Sequence, residues 1–232
     1  LAIHGLLKEN LVEWVSSMTY QAASGAGANN MRELLNQMGQ IYSSVSEDLE
    51  NKNLNILDID DKALKIMNSN KFQKDFFQVP LAGNLIPWID EDLNNGQSRE
   101  ELKSQSETNK ILEKTFDLIK VDGLCIRIGT MRSHSQALTI KLKKNISIEK
   151  INELIANGNE WVKLIPNKKN SSMDLLSPAA ISGKLDIAVG RVRKLNIDEN
   201  CISIFTVGDQ LLWGAAEPIR RMLKILIKKG KD

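Results

Sequence analysis

The chain has 232 residues, which is enough for one large or two small domains with a sizeable core. Its 31 basic and 29 acidic residues leave a net charge of +2, which argues against nucleic-acid or membrane-surface binding. No apolar run approaches the ~18 residues of a membrane span. The two cysteines, Cys125 and Cys201, have neither metal-ligand nor redox spacing. We therefore expect a protein of the reducing cytoplasm that binds no metal, nucleic acid or membrane.

The N-terminal part predicts a strand, a loop of small residues and a helix. Alternation predicts the strand from Leu11 to Tyr20, and the loop 21–30 reads QAASGAGANN. Such a loop at a helix N-terminus can bind phosphate through backbone N–H groups. It is not a Walker loop or a complete dinucleotide fingerprint, so a tight structural loop is the alternative. Apolar residues then recur at helical spacing: Met31, Leu34, Leu35, Met38, Ile41, Tyr42 and Val45.

Two weaker patterns follow this helix. A polar connector leads to a short helix around Asp61–Met67. The segment Phe76–Asp90 is apolar but is broken by Pro80, Gly83 and Pro87. That combination is typical of a buried irregular segment beside a cleft or an interface.

A capping box begins the next predicted helix, which runs from Ser98 to Phe116. In this motif the Ser98 and Glu101 side chains each bind the other's backbone N–H group. One face of the helix carries charges at helical spacing: Glu100, Lys103, Glu107 and Lys110. Taken alone, the pattern is that of a solvated face with ion pairs.

The stretch 121–142 brings an arginine and a histidine close in sequence. Two predicted half-buried strands, 124–128 and 136–143, are separated by the segment 129–133. Arg127 and His134 would face opposite sides of one continuous strand, but a turn or bulge can place them together. A cation beside an imidazole suits acid–base chemistry on an anionic substrate, although surface arginines and structural histidines are commoner.

The C-terminal part mixes short helices and strands. Ser147–Ala156 predicts a helix, and Asn167–Ser172 predicts a polar turn. The predicted strands are Trp161–Ile165, Leu185–Val189, Arg191–Leu195 and Cys201–Val207. Gly208–Gly230 is amphipathic, with Asp209 as a cap and Pro218 as a kink or a new start. Because no regular βαβ rhythm is present, the chain predicts an α+β fold with a mixed or antiparallel sheet covered by helices.

Four segments together resemble bacterial aspartate-β-semialdehyde dehydrogenase, in the form found in Gram-negative enteric bacteria. They are MTYQAASGAGANNMRELLNQMG (18–39), VPLAGNLIPWIDEDLNNGQSREELKSQSETNKIL (79–112), VDGLCIRIGTMRSHSQALTIKLKK (121–144) and FTVGDQLLWGAAEPIRRMLK (205–224). The resemblance keeps their order and covers essentially the whole chain.

The resemblance implies an oxidoreductase of lysine, threonine, methionine and diaminopimelate biosynthesis. Members reductively dephosphorylate L-aspartyl-4-phosphate to L-aspartate 4-semialdehyde with NADPH, through a cysteine thioester. An N-terminal Rossmann domain binds NADP, and a C-terminal domain like that of glyceraldehyde-3-phosphate dehydrogenase binds substrate and forms a homodimer. Residues 1–208 resemble this second domain. Residues 209–232 resemble a C-terminal helix that packs back on the NADP-binding domain.

The resemblance also implies roles for individual residues. His134 resembles the catalytic proton acceptor, and Arg127 resembles the arginine that binds the substrate α-carboxylate. Glu100 resembles the carboxylate that binds the α-ammonium group, and Lys103 resembles the phosphate-binding lysine. Gln21 resembles the glutamine that positions the substrate. The residues that resemble cofactor contacts are Ser24, Gly25 and Gln210.

Two expected family features do not appear in this sequence. The glycine-rich dinucleotide loop and the Asn-Cys-Thr segment of the nucleophile are absent, and by alignment that cysteine precedes Leu1. Cys125 and Cys201 are interpreted as core or strand residues. We therefore expect the C-terminal part of the enzyme, inactive alone. The alternatives are a stand-alone non-catalytic dimerisation partner or a split subunit. A relative that uses N-acetylglutamyl phosphate is disfavoured, because Glu100 would then have no charge to pair.

Overall fold

A mixed sheet forms the centre of the structure, a computed structural model that describes residues 1–230. Its strands are β1 (Val12–Gln21), β2 (Leu85–Ile86), β3 (Lys120–Ile128), β4 (His134–Leu142), β5 (Val162–Leu164), β6 (Ile187–Leu195) and β7 (Asp198–Gly208). They are arranged in the order β2-β3-β1-β4-β7-β6-β5. The pairs β1–β3 and β5–β6 are parallel, and the other pairs are antiparallel. The predicted α+β class is confirmed.

Eight α-helices surround this sheet in the described residues. They are α1 (His4–Lys8), α2 (Ala28–Glu50), α3 (Ile56–Met67), α4 (Arg99–Ile111), α5 (Ile148–Ala156), α6 (Lys169–Leu175), α7 (Pro178–Ile181) and α8 (Glu217–Lys229). Within residues 1–230, none of these helices has the length and apolarity that crossing a membrane would require.

The main core lies between one face of the sheet and the helices α1 and α5. Alternate residues of the central strands, such as Val15 in β1 and Ile140 in β4, point to this face and are buried. Leu6 of α1 and Ile151 and Ile155 of α5 are completely buried against them. Burial of each such side chain contributes about 1.5–3 kcal/mol relative to exposure, so this layer is the main source of stability.

The opposite face of the sheet is only partly covered. We call it the open face and define it by Met18, Tyr20, Leu124, Ala137 and Phe205, which are half-buried or exposed. The rings of Tyr20 and Phe205 lie 6.4 Å apart across it. Strand alternation therefore places apolar side chains on both faces, which a sheet with one solvated face would not require.

Three predicted elements differ from the structure. The helix predicted over Ser98–Phe116 ends at Ile111, and Glu113 has φ +53°. The predicted strands Leu185–Val189 and Arg191–Leu195 belong to one strand, β6. Its pairing with β7 continues past a bulge, at which the register shifts and Arg191 has φ +55°. Alternation cannot show that a bulged strand is continuous. The polar turn predicted over Asn167–Ser172 is largely the start of α6, which begins at Lys169.

Two buried polar residues of α2 fix the irregular segment that follows α3. The carboxylate of Glu33 accepts hydrogen bonds from the N–H groups of Phe76 (2.7 Å) and Phe77 (3.0 Å). The side-chain oxygen of Gln37 accepts from Leu81 (2.8 Å) and Ala82 (2.9 Å). These bonds supply the partners that a segment without regular structure needs, and they set its path towards Asp90. The segment was predicted to be buried, but only Leu81 and Ala82 within Phe76–Asp90 are buried.

Candidate active site

Arg127 and His134 lie on opposite sides of β1. Arg127 is near the end of β3 and His134 begins β4, and both strands pair with β1. The segment predicted to separate them is a loop that passes the end of β1. Its carbonyl groups at Thr130 and Met131 accept from the N–H groups of Ala23 (2.8 Å) and Ser24 (3.0 Å). This arrangement places the arginine and the histidine on one face, with the end of β1 between them.

The peptide groups of Ala22 connect the two side chains. Its N–H donates to Nδ1 of His134 at 3.1 Å, and its carbonyl accepts from Nη1 of Arg127 at 2.9 Å. Ala22 is completely buried. Because Nδ1 accepts a hydrogen bond, the neutral imidazole carries its proton on Nε2. Burial, followed by the charge of Arg127, lowers the pKa of His134 to about 4, so the ring is neutral at neutral pH.

A short 3-10 turn, Ala23–Ala26, follows β1 and packs against this pair. A Cβ atom added to Gly25 would lie 2.8 Å from Nη1 of Arg127 and 2.9 Å from Nε2 of His134. Only glycine leaves this space open. The neighbouring Ser24 hydroxyl donates to Oε1 of Gln210 at 3.1 Å. The three residues that resemble cofactor contacts are therefore adjacent to the arginine–histidine pair.

The capping box of α4 attaches this helix to the sheet. As predicted, Ser98 and Glu101 satisfy each other's backbone N–H groups. The second carboxylate oxygen of Glu101 accepts from the N–H of Cys125 in β3 at 3.2 Å. Glu101 is only 6% exposed, and its charge is stabilised by one N–H donor at the helix N-terminus and one in β3. The first turn of α4 is thereby fixed relative to Arg127, two residues further along β3.

Charged side chains from α4 meet the end of β1. Glu100 accepts a hydrogen bond from Nε2 of Gln21 at 3.1 Å. Lys103 donates to Glu100 at 3.0 Å and to Asp90 at 2.8 Å. The bonds to Asp90 and Glu100 raise the pKa of Lys103, and Lys103 lowers the pKa of Asp90. The interpretation of this helix face as only a solvated, ion-paired surface is therefore incomplete, because Glu100 faces the buried end of β1.

A cavity of about 600 Å³ opens at this cluster. Its polar end is lined by Gln21, Glu100, Lys103 and His134. From there it extends along the sheet past Leu138 and other apolar side chains towards the N-terminus. A small anionic molecule at the polar end would contact a cation, an imidazole and an amide together.

Every residue proposed from the resemblance belongs to this cluster, but three further contributors carried no sequence signal for the site. Ala22 acts through its backbone, which the residue type does not reveal. Asp90 reaches Lys103 from an irregular segment, where it has φ +72° and its carbonyl accepts from the indole of Trp88 at 3.0 Å. Glu101 was recognisable as a cap, but its bond to β3 was not.

Both cysteines are buried, as the sequence interpretation requires. Cys125 is 2% exposed and Cys201 is 4% exposed. Burial raises the pKa of both thiols, so neither is a ready nucleophile.

A family model and several solved structures all indicate the same family for this chain. Residues 3–213 match the family model described as the semialdehyde dehydrogenase dimerisation domain. Aspartate semialdehyde dehydrogenase from Francisella tularensis is 47% identical, with a TM-score of 0.90. The match covers 97% of this chain but only 60% of the Francisella chain.

Two more distant structures share the fold. Aspartate semialdehyde dehydrogenase II from Vibrio cholerae, complexed with ASA, is 23% identical over 97% of this chain and 58% of its own, with a TM-score of 0.75. The Candida albicans enzyme with NADP is 14% identical over 90% of this chain and 49% of its own, with a TM-score of 0.52.

Proposed function

The chain belongs to the semialdehyde dehydrogenase dimerisation-domain family, and we propose that its complete gene product makes L-aspartate 4-semialdehyde from L-aspartyl-4-phosphate with NADPH. This reaction would supply lysine, threonine, methionine and diaminopimelate synthesis. The 47% identity to the Francisella enzyme supports the substrate class. The observation that carries the proposal is that Glu100, Lys103 and His134 line the polar end of one cavity. Arg127 lies beside them, bonded to Ala22, which also binds His134.

The charges at the site suit a free amino acid with a phosphorylated side chain. Arg127 is buried and donates one hydrogen bond to Ala22, which leaves further N–H groups for a carboxylate. Glu100, held by Gln21, would pair with the α-ammonium group. Lys103, one turn further along α4, would bind the phosphate. An N-acetylated substrate would offer Glu100 no ammonium group, which disfavours the acetylglutamyl alternative.

His134 would transfer protons through Nε2. Its Nδ1 atom is occupied by the N–H of Ala22, so only Nε2 can exchange a proton with a bound group. With its proton on Nε2, the neutral imidazole can donate to a bound group. It accepts a proton at Nε2 only after the ring proton has moved to Nδ1, which breaks the contact with Ala22. The low pKa makes the acceptor weak, which limits how far protonated His134 accumulates at neutral pH.

NADP fits the small-residue side of the site. Gly25 lacks the Cβ atom that would press on His134 and Arg127, and Ser24 and Gln210 present a hydroxyl and an amide beside it. These three residues would contact the cofactor, which supplies a hydride when bound. The remaining cofactor contacts would come from a Rossmann domain, as the resemblance implies.

We expect residues 1–208 to bind substrate and 209–232 to pack on that NADP-binding domain. The π-helical turn Leu212–Ala216 and the start of α8 are anchored here. Trp213 of the turn donates to the carbonyl of Leu185 at 3.1 Å, and Arg221 of α8 lies 4.3 Å from the ring of Trp161. Beyond this anchor, one apolar stripe of α8 is more than half exposed: Ile219, Met222, Leu223 and Leu226. An exposed stripe of this size favours a covering partner. The isolated chain should therefore aggregate or bind a hydrophobic dye, and a dye-silent monomer would count against the docking.

The open face of the sheet is the proposed homodimer interface. Its apolar side chains would be buried by the same face of a second copy, as in an isologous interface. A Phe205→Glu substitution would place a charge in this interface and should yield monomers in sedimentation. An unchanged dimer would contradict the assignment. The cytoplasmic location stays a prediction.

The decisive experiment is an assay of the complete gene product with L-aspartate 4-semialdehyde, phosphate and NADP+, followed by NADPH absorbance. We expect turnover, at least tenfold lost in Arg127→Lys because a bidentate contact is removed, but retained in the surface control Arg99→Lys. The 232-residue chain alone should be inactive, since Cys125 and Cys201 are buried. No turnover by the complete product would favour the non-catalytic dimerisation partner, and turnover by the chain alone would refute the missing-nucleophile argument.

A further inference from the structure

Behind the site, Asp209 is a completely buried carboxylate that joins three segments. Oδ2 accepts hydrogen bonds from Nη2 of Arg132 and from the N–H of Gly183, both at 2.7 Å. Oδ1 accepts from the N–H of Leu211 at 3.1 Å, at the start of the last helical segment, 210–229, which ends with α8. The loop before β4, the loop before β6 and this helical segment therefore share one charged acceptor.

Arg132 and Asp209 each lie next to a residue of the proposed site. Arg132 precedes His134 by two residues, and the intervening Ser133 is completely buried with φ +72°. The hydroxyl of Ser133 lies 2.8 Å from that of Ser182, which fixes the loop path on its other side. A small displacement of Arg132 would therefore move the start of β4 together with His134.

On the other side, Asp209 is followed directly by Gln210. The side chain of Gln210 accepts from Ser24, and the backbone of Ser24 is held by the carbonyl of Met131, one residue before Arg132. The 3-10 turn, the loop and the start of the last helical segment thus form a closed ring of contacts. Neither Arg132 nor Asp209 lines the cavity.

We propose that Arg132 and Asp209 are positioning residues that hold His134 and Gln210 at a fixed separation, so that proton transfer and cofactor contact are set by one buried ion pair. This inference rests on the proposed function for its kinetic consequences. Its geometric part, the fixation of His134, does not.

The charges around His134 give the proposal a signature that packing alone would not produce. The groups that act on the imidazole are Arg127, which lowers its pKa, and Glu100 and Asp209, which raise it. Arg132 compensates the charge of Asp209. Loss of Arg132 should therefore raise the pKa of His134, whereas loss of the Asp209 charge should lower it.

The test is the pH profile of kcat/KM for the complete gene product. In Arg132→Gln the acidic limb should move up by roughly 0.5–1 pH unit, and in Asp209→Asn it should move down. Arg132→Lys should restore most of the profile because the charge is kept, and the exposed control Arg193→Gln should match the wild type. Limbs that stay in place, or move in the same direction, would overturn the proposal.

Two further arms cover poor folding and failure of the proposed function. The double variant Arg132→Gln with Asp209→Asn contains no unpaired buried charge, so it should fold even if a single variant does not. Its limb should lie near that of the wild type, while kcat stays reduced through lost positioning; a wild-type kcat would contradict the positioning role. If the wild type shows no turnover, the proposed function fails, and NMR titration of the His134 imidazole in the same variants decides the geometric claim.

Discussion

Acid sensitivity should be concentrated at one imidazole. His134 is buried against Arg127, and its pKa is lowered from 6.5 to about 4. Between these values the unfolded chain binds a proton at this ring and the folded chain does not, so the free energy of unfolding falls as the pH falls. Since one pKa unit corresponds to about 1.4 kcal/mol, the full loss is roughly 3 kcal/mol, with about 2 kcal/mol lost by pH 5. The loss of unfolding free energy is absent well above pH 6.5 and complete below about pH 4.

Urea unfolding at several pH values between 7 and 4 measures this effect directly. The unfolding free energy of wild type minus that of His134→Gln should shrink by the stated amount over this range, because the contributions of other groups cancel. The chain has one other histidine, His4, which is exposed. His4→Gln should follow the wild-type curve at every pH. A constant difference between wild type and His134→Gln would show that the folded protein does not hold this imidazole neutral.

Three other substitutions test contacts at the site. Glu101→Gln should lower the unfolding free energy by about 1–3 kcal/mol, because a charged acceptor of two buried N–H groups is lost; Glu107→Gln, at an exposed residue of the same helix, should change it by less than about 0.5 kcal/mol. Gly25→Ala should reduce turnover at least tenfold through its approach to the arginine and histidine, whereas Gly39→Ala should leave turnover unchanged and raise helix stability by up to about 1 kcal/mol. Asp90→Asn should lower the phosphate KM several-fold, since the lysine it neutralises would gain net positive potential; an unchanged KM would place phosphate elsewhere.

Local patterns predicted most of the regular elements because each depends on neighbours in sequence. The capping box at Ser98 and the apolar spacing from Met31 to Val45 correspond to the start of α4 and to α2. Two of the errors came from local conformations that residue type does not encode. A bulge at Arg191, whose φ is positive, lies inside one strand where two were predicted. The helix α6 forms in a segment that has no apolar stripe.

The site residues that act through their side chains could be predicted from the sequence. The resemblance supplied Arg127, His134 and the other site residues, and the structure places them within one cluster. It did not supply the order of the strands, which puts β1 between Arg127 and His134. The peptide of Ala22 and the contact of Asp90 depend on that order and on an irregular segment, so no spacing rule could have found them.

The central place of β1 has a consequence for how this chain is made. Val15 of β1 pairs with Val121 of β3 and with Ile140 of β4, so both neighbours are synthesised long after β1 itself. During translation, both edges of the apolar strand β1 therefore stay unpaired until more than half of the sequence has been synthesised. Long-range pairing of this kind folds slowly and exposes edges that can associate with other chains. Yield in the cell should consequently depend on translation rate and on chaperones that bind extended apolar segments.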